Sequence, residues 1–205
     1  MTSGGGLSGP HTSIAIYYAT HDGQSERIAN RVAESLRDSG ATTAVHRLTR
    51  RRQPPLDVKT DAIVAVLAVR YGHVLPEAAE FLAAYPGPEN APPLALAVVS
   101  LVARKASRRT PETNPYLRRT LARYRLRPAI ATAIAGRLSY PKYRFLDRQV
   151  IRLIMAISGG VADGRSDIEY TDWRQVDDFA AAVVALGKRR RLEAKEPRGL
   201  RETSA

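Results

Sequence analysis

The sequence predicts an α/β fold, a doubly wound parallel sheet of five strands with an insertion after the fifth. Three observations carry this reading. Ile14-Ala15-Ile16-Tyr17-Tyr18-Ala19 is a short apolar run that stops at small polar residues around Gly23, and Ile28, Val32 and Leu36 then follow at helical spacing. Asp61 to Val69 is almost continuously apolar, as a strand covered on both faces requires. Two further apolar runs, Leu94 to Val102 and Ala129 to Ala135, alternate with helical stretches, and crossovers of this length favour parallel neighbours.

Taken in order, residues 1–11 are Gly/Ser-rich and are expected to be disordered. One domain spans residues 12–187. Its first helix closes at Gly40, a plausible C-cap, and Ala41 to Leu48, short and half polar, reads as an edge strand. Arg50-Arg51-Arg52 and Pro54-Pro55 make a loop. The third strand ends at a polar turn, Arg70-Tyr71-Gly72-His73, and Leu75 to Tyr85 is a short helix that tolerates Pro76 in its first turn. Residues 104–127 hold nine basic side chains against one acid, Glu112, and residues 137–160 form the insertion. Thr171 or Asp172 can cap a last helix that runs to about Leu186, and residues 188–205 read as a basic, disordered tail.

A chain of 205 residues suits one well-buried domain. It has no cysteine, which excludes disulfides, thiol catalysis and Cys-ligated metal and suits a reducing cytoplasm. His11, His21, His46 and His73 show no metal-ligand spacing, so no metal is expected. No stretch approaches the ~20 apolar residues of a transmembrane helix, and no signal core is evident. The outlier is a net charge of +12, which should attract an anionic partner. Nothing reads as a groove helix or as aromatics on an exposed sheet, so nucleic acid is not expected.

The turn after the first strand is the first candidate site. Strand, tight polar turn and helix present free backbone N–H groups and the positive end of a helix dipole, and Thr20 and Ser25 add hydroxyl donors. That combination suits a phosphate. It lacks the three glycines of a dinucleotide fingerprint and the Gly-Lys pair of a Walker loop. Thr-x-Asp-Gly-x-Ser in this position looks like the FMN-phosphate loop of flavodoxins, and five strands suit a flavodoxin-like sheet. Such sheets bind ligands beyond the carboxyl ends of their strands, where residues 20–25, 69–73 and 100–104 turn. Within the insertion, Leu146, Val150, Leu153, Ile154 and Ile157 share one side of a helical wheel over 144–157, while Arg144, Arg148 and Arg152 line the other. This is either a core-facing helix with a solvated basic face or a basic amphipathic helix resting on an anionic membrane surface.

Together these features resemble the flavodoxin-type, quinone-dependent protoporphyrinogen IX dehydrogenases of bacterial haem synthesis. The matching blocks are Thr20-His21-Asp22-Gly23-Gln24-Ser25, Val69-Arg70-Tyr71-Gly72-His73, Leu101-Val102-Ala103-Arg104-Lys105 and Arg109-Thr110-Pro111-Glu112-Thr113-Asn114. Tyr140-Pro141-Lys142-Tyr143-Arg144, Leu153-Ile154-Met155-Ala156-Ile157-Ser158-Gly159-Gly160 and Tyr170-Thr171-Asp172-Trp173 follow in order, so the resemblance covers about residues 13–187.

The resemblance implies FMN as cofactor, protoporphyrinogen IX as substrate, menaquinone or ubiquinone as acceptor, and peripheral attachment to the cytoplasmic side of the membrane. It implies that Thr20, His21, Asp22, Gly23, Gln24 and Ser25 hold the FMN phosphate. Arg70, Tyr71, Gly72 and His73 would pass along one side of the ring, and Ser100, Leu101, Val102, Ala103 and Arg104 along the other. Asp163 would reach the ribityl chain or the ring edge. The flavin carries the redox chemistry, so no side-chain nucleophile is needed. A flat apolar substrate with two propionates needs cations beside aromatic surface, which Arg137, Tyr140, Lys142, Tyr143 and Arg144 offer. Fixed cations near the ring should also favour the reduced, anionic flavin. That suits a dehydrogenase better than a low-potential shuttle, with an electron-transfer flavodoxin or an FMN-dependent quinone reductase as the alternatives.

Overall fold

A computed structural model describes residues 11–51, 53–139 and 167–195. The central sheet contains β1 (Ser13–Ala19), β2 (Thr42–Arg47), β3 (Ala62–Arg70), β5 (Leu94–Val99) and β6 (Ile130–Ile134) in the order β2-β1-β3-β5-β6, every neighbour parallel. A two-residue strand, β4 (His73–Val74), folds back antiparallel on the end of β3. The order is that of a flavodoxin-like doubly wound sheet, with the switch point between β1 and β3.

Alternation along the strands builds two cores. Ile14, Ile16 and Tyr18 of β1 enter one layer with Ile28, Val32 and Leu36 of α1 (Gln24–Asp38) and with Val176, Phe179 and Val183 of the last helix, α4 (Trp173–Lys195). Ala15 and Tyr17 enter the other, with Phe81 and Leu82 of α2 (Pro76–Ala84) and Leu117 of α3 (Pro115–Arg123). β3 and β5 are buried on both sides, and each fully buried aliphatic side chain contributes about 1.5–3 kcal/mol. β2 is half exposed, as an edge strand should be.

α1 ends in a Schellman motif. Gly40 lies at φ +84°, Ala41 N–H donates to Leu36 C=O at 3.0 Å, and Gly40 N–H donates to Arg37 C=O at 2.8 Å. Among the described residues no helix connects β2 to β3; an irregular segment crosses instead. Tyr17, wholly buried, holds it: its hydroxyl donates to Pro55 C=O and accepts from Asp57 N–H, both at 2.8 Å.

Four elements differ from the sequence reading. The fourth parallel strand stops at Val99 rather than Val102, because Ser100 N–H makes the bond to Ile134 C=O and the chain then coils into a 3₁₀ turn over Leu101–Arg104. Residues 104–127 contain α3, whose signal was its cap. Asn114, fully buried, accepts from Tyr116 and Leu117 N–H at 3.0 and 3.1 Å, and Pro115 occupies the first turn. The insertion begins with a strand, β7 (Arg137–Ser139), paired antiparallel with β8 (Asp167–Glu169). Finally, α4 continues to Lys195, so residues 188–195 are helical rather than a disordered tail. Arg191 holds this extension, donating to His11 C=O and to Asp61 Oδ2 at 3.4 Å. Tyr140, Lys142, Tyr143, Arg144, Asp163 and the helix expected over 144–157 lie outside the described residues.

Candidate functional site

The chain leaves β1 through Thr20, His21, Asp22 and Gly23. Gly23 sits at φ +88°, a conformation that strains any side chain, and its N–H donates to Thr20 Oγ1 at 2.9 Å to close the turn. No side chain caps α1. Its first N–H groups are therefore left for an outside acceptor, at the positive end of the helix dipole. Ser25 is buried there, 1 % exposed, and its hydroxyl has no partner. Ser100, just after β5, is also buried, 5 % exposed, and its hydroxyl too has no partner. A buried hydroxyl left unbonded costs about 1–3 kcal/mol, and both of these line the same cleft, where a ligand could satisfy them.

Two turns flank this point. β3 reverses into β4 through Tyr71 and Gly72, at φ 51° and 81°, as a two-residue primed hairpin turn demands. Gly72 has a second reason to be glycine: a Cβ there would lie 3.3 Å from Arg119 Nη1. Tyr71 is exposed at the tip, with the Arg70 guanidinium 5.2 Å from its ring centroid. The opposite wall is the turn at Ser100, Leu101 and Val102. Between them lies a cleft of about 560 Å³, a size usual for small-molecule sites, with Tyr116 and Arg119 of α3 and Gly136 and Arg137 at its edge.

Polar contacts lock the first turn to the base of the insertion. Gln24, itself buried, donates from Nε2 to Glu169 Oε1 at 3.0 Å and to Thr171 Oγ1 at 2.8 Å. Arg27 donates to Glu169 Oε2 at 2.9 Å, and its guanidinium lies 5.3 Å from the Trp173 ring centroid. Behind the Ser100 turn, Arg109 donates to Ala103 C=O at 3.2 Å and to Asp172 at 2.8 Å. The hydrogen bond from Arg109 holds the Asp172 carboxyl below its ordinary range, and the Gln175 N–H assists.

The fold thus brings Thr20, His21, Asp22, Gln24, Ser25, Arg70, Tyr71, Gly72, Ser100, Leu101, Val102 and Arg137 to one cleft. Gly23 contributes its backbone shape, and Ala103 is fully buried behind the wall. Arg104 donates back to Leu101 C=O at 3.2 Å. His73 belongs to a neighbouring cavity. Arg137 reaches the cleft edge while its guanidinium makes a bidentate pair with Asp167, at 2.7 and 2.6 Å. Sequence reasoning missed Tyr116 and Arg119 because α3 went unrecognised, although the Asn114-Pro115 start marks it. It also missed Glu169 and Thr171, whose roles depend on contacts about 145 residues away in sequence. Among the described residues no group of three or more His, Asp or Glu could hold a metal, and no helix is long and apolar enough to cross a membrane.

A family model described as a flavodoxin domain matches residues 15–164. The protoporphyrinogen IX dehydrogenase (quinone) of Escherichia coli strain K12 is 40% identical over 171 residues, covering 83% of this chain and 94% of the relative. The chain belongs to the flavodoxin-type protoporphyrinogen IX dehydrogenases. A protein of the same name from Leishmania major is 31% identical over 180 residues, covering 83% of this chain and 74% of its own length. Members of this family are oxidoreductases on a flavodoxin domain, and the cleft between the three turns is where that domain would hold a flavin.

Proposed function

We propose that this chain oxidises protoporphyrinogen IX to protoporphyrin IX, with FMN in the cleft and a membrane quinone as electron acceptor, in haem synthesis. The observation that carries the reading is the pair of buried, unpartnered hydroxyls, Ser25 and Ser100, beside the uncapped start of α1. Thr20, Ser25 and the first N–H groups of α1 would take the terminal phosphate. Arg70, Tyr71 and Gly72 on one side, and Ser100, Leu101 and Val102 on the other, would enclose the ring. FMN when bound supplies the two-electron acceptance that side chains cannot. The overall conversion takes six electrons and six protons from the substrate, so three quinones leave as three quinols. The protein's part is to orient a dianionic substrate in a cationic setting: Arg70, Arg119 and Arg137 line the cleft against Asp22, and of these Arg137 is already paired with Asp167.

Attachment at the cytoplasmic membrane surface belongs to the same proposal. The +12 charge supports it, as does the Arg144, Arg148 and Arg152 stripe in the sequence, since each cation near an anionic leaflet contributes about 1 kcal/mol. Either menaquinone or ubiquinone fits the reading.

The test is anaerobic mixing of FMN-loaded protein with protoporphyrinogen IX and a menaquinone analogue, followed by porphyrin fluorescence. Porphyrin formation that needs both FMN and quinone is the expected result. A protein that stays colourless after incubation with FMN would sink the cofactor assignment. Flavin reduced by NAD(P)H but not by porphyrinogen would make it a quinone reductase.

A further inference from the structure

A second cavity, of about 370 Å³, adjoins the flavin cleft, and the two share Gly72 and Arg119. His73, Pro76, Ala79, Arg119, Arg123 and Tyr124 give it an aliphatic floor and a cationic rim. None of its lining residues is acidic. Among the described residues no carboxylate pairs with Arg119 or Arg123, although other arginines of the molecule find one. Arg119 donates one N–H to Gly72 C=O at 3.1 Å and keeps its other donors. The Arg123 guanidinium lies 5.9 Å from the Tyr124 ring centroid. Two unpaired guanidiniums repel each other and cost stability unless an anion meets them. Guanidinium forks beside aliphatic surface suit a carboxylate carried on an apolar body.

α3 connects this cavity to the flavin cleft. Tyr116 and Arg119 line the cleft, whereas Arg119 and Arg123 line the cavity. Arg119 and Arg123 are four residues apart and so share a helix face, and Tyr116 to Arg123 spans about 10 Å of axis. A ligand lying over the cleft mouth therefore has a cationic pocket within reach along one stripe of one helix.

We propose that this cavity is the carboxylate subsite of the substrate: Arg119 and Arg123 take a propionate of the porphyrinogen while its ring system lies over the mouth of the flavin cleft. The inference rests on the function proposed above and adds where the substrate's charge is read.

The test uses the full chain loaded with FMN and the variants Arg123→Glu and Arg123→Lys; Arg123 is exposed and lies outside the flavin cleft. Protoporphyrin IX and its dimethyl ester, which lacks the carboxylates, are titrated against each protein by porphyrin fluorescence. The wild type should bind the diacid about tenfold more tightly than the ester. Arg123→Glu should abolish that preference, Arg123→Lys should keep most of it, and neither should change FMN affinity. Equal diacid affinity in wild type and Arg123→Glu, or equal affinity of the wild type for diacid and ester, would overturn the proposal. So would an Arg123→Glu protein that still prefers the diacid but no longer co-sediments with phosphatidylglycerol vesicles, since the anion would then be a lipid phosphate. If the wild type prefers the diacid, loses this in Arg123→Glu, yet oxidises no porphyrinogen, the subsite stands and the catalytic reading falls.

Discussion

Around the turn before α1, arginines meet carboxylates: Arg27 pairs with Glu169 at 2.9 Å and Arg31 with Asp177 at 2.8 Å. Along α3, Arg118, Arg119 and Arg123 meet none among the described residues. Both regions face the carboxyl ends of the strands, and both are basic in sequence. The difference is one of pairing. Paired charges tie the first turn to β8 and α4 and hold a preformed cradle, in which hydroxyls and N–H groups are left to bind. On α3 the guanidiniums themselves are left over. A paired charge is partly offset before any ligand arrives, and the subsite proposed on α3 draws on charges that are not.

The cradle should respond most strongly to substitution. Replacing Thr20 and Ser25 together by Ala removes two hydroxyls, and hydrogen bonds to a charged group contribute about 1.5–3 kcal/mol each. FMN binding should weaken by two to four orders of magnitude in a fluorescence titration, while circular dichroism stays unchanged. FMN bound with wild-type affinity would show that the phosphate lies elsewhere.

The scaffold side is next. Gly187 lies inside α4, where Ala is normally better by up to about 1 kcal/mol. Here a Cβ would come within 2.6 Å of Thr12 Cγ2. Gly187→Ala should therefore destabilise, by about 1–3 kcal/mol as overpacking does, with a lower denaturant midpoint. A stabilised variant would mean that α4 does not approach β1 this closely.

A smaller effect tests pairing directly. Glu169→Ala removes the shared acceptor of Gln24 and Arg27 and should cost about 1 kcal/mol in chemical denaturation. Arg118→Ala on α3 should stay within about 0.5 kcal/mol. Equal losses would show that the contacts to Glu169 add nothing to the fold.

The smallest effect is in acid. Asp172 and Asp177 are held below the ordinary carboxylate range, first by hydrogen bonds from Arg109 and Arg31 respectively. Their contribution is present above the unfolded carboxylate pKa, about 3.9, and is lost as pH falls through the lower folded value. Asp172→Asn should flatten the stability profile below about pH 4 and leave its slope near neutrality unchanged. A profile parallel to wild type down to pH 2 would remove this ion pair from the account.

Much of this was legible in the residues. The β1 turn announced itself because its requirements are local: a glycine that must hold φ +88°, small hydroxyl residues, and a helix stripe of Ile28, Val32 and Leu36. β3 and β5 were legible because burial on both faces forces a continuous apolar run. The end of β5 was not. Leu101 and Val102 are as apolar as the strand before them, and only the cleft beyond Val99 makes them a half-exposed wall. α3 was hidden by its own charge, since nine basic residues over 104–127 drew attention from the cap at Asn114.

The doubly wound sheet, the tight glycine turn after β1 and the excess of positive charge follow from the residues alone, because helix and strand periods, turn glycines and net charge are properties of neighbouring residues or of simple sums. Which cations are neutralised depends on contacts made in the folded chain. Arg27 reaches Glu169, Arg109 reaches Asp172, and Arg191 reaches Asp61 across 63 to 142 residues of chain, and no local pattern encodes such pairings. An arginine is the same residue in sequence whether it braces a fold or awaits an anion; the carboxylate that folding brings beside it, or fails to bring, makes the difference.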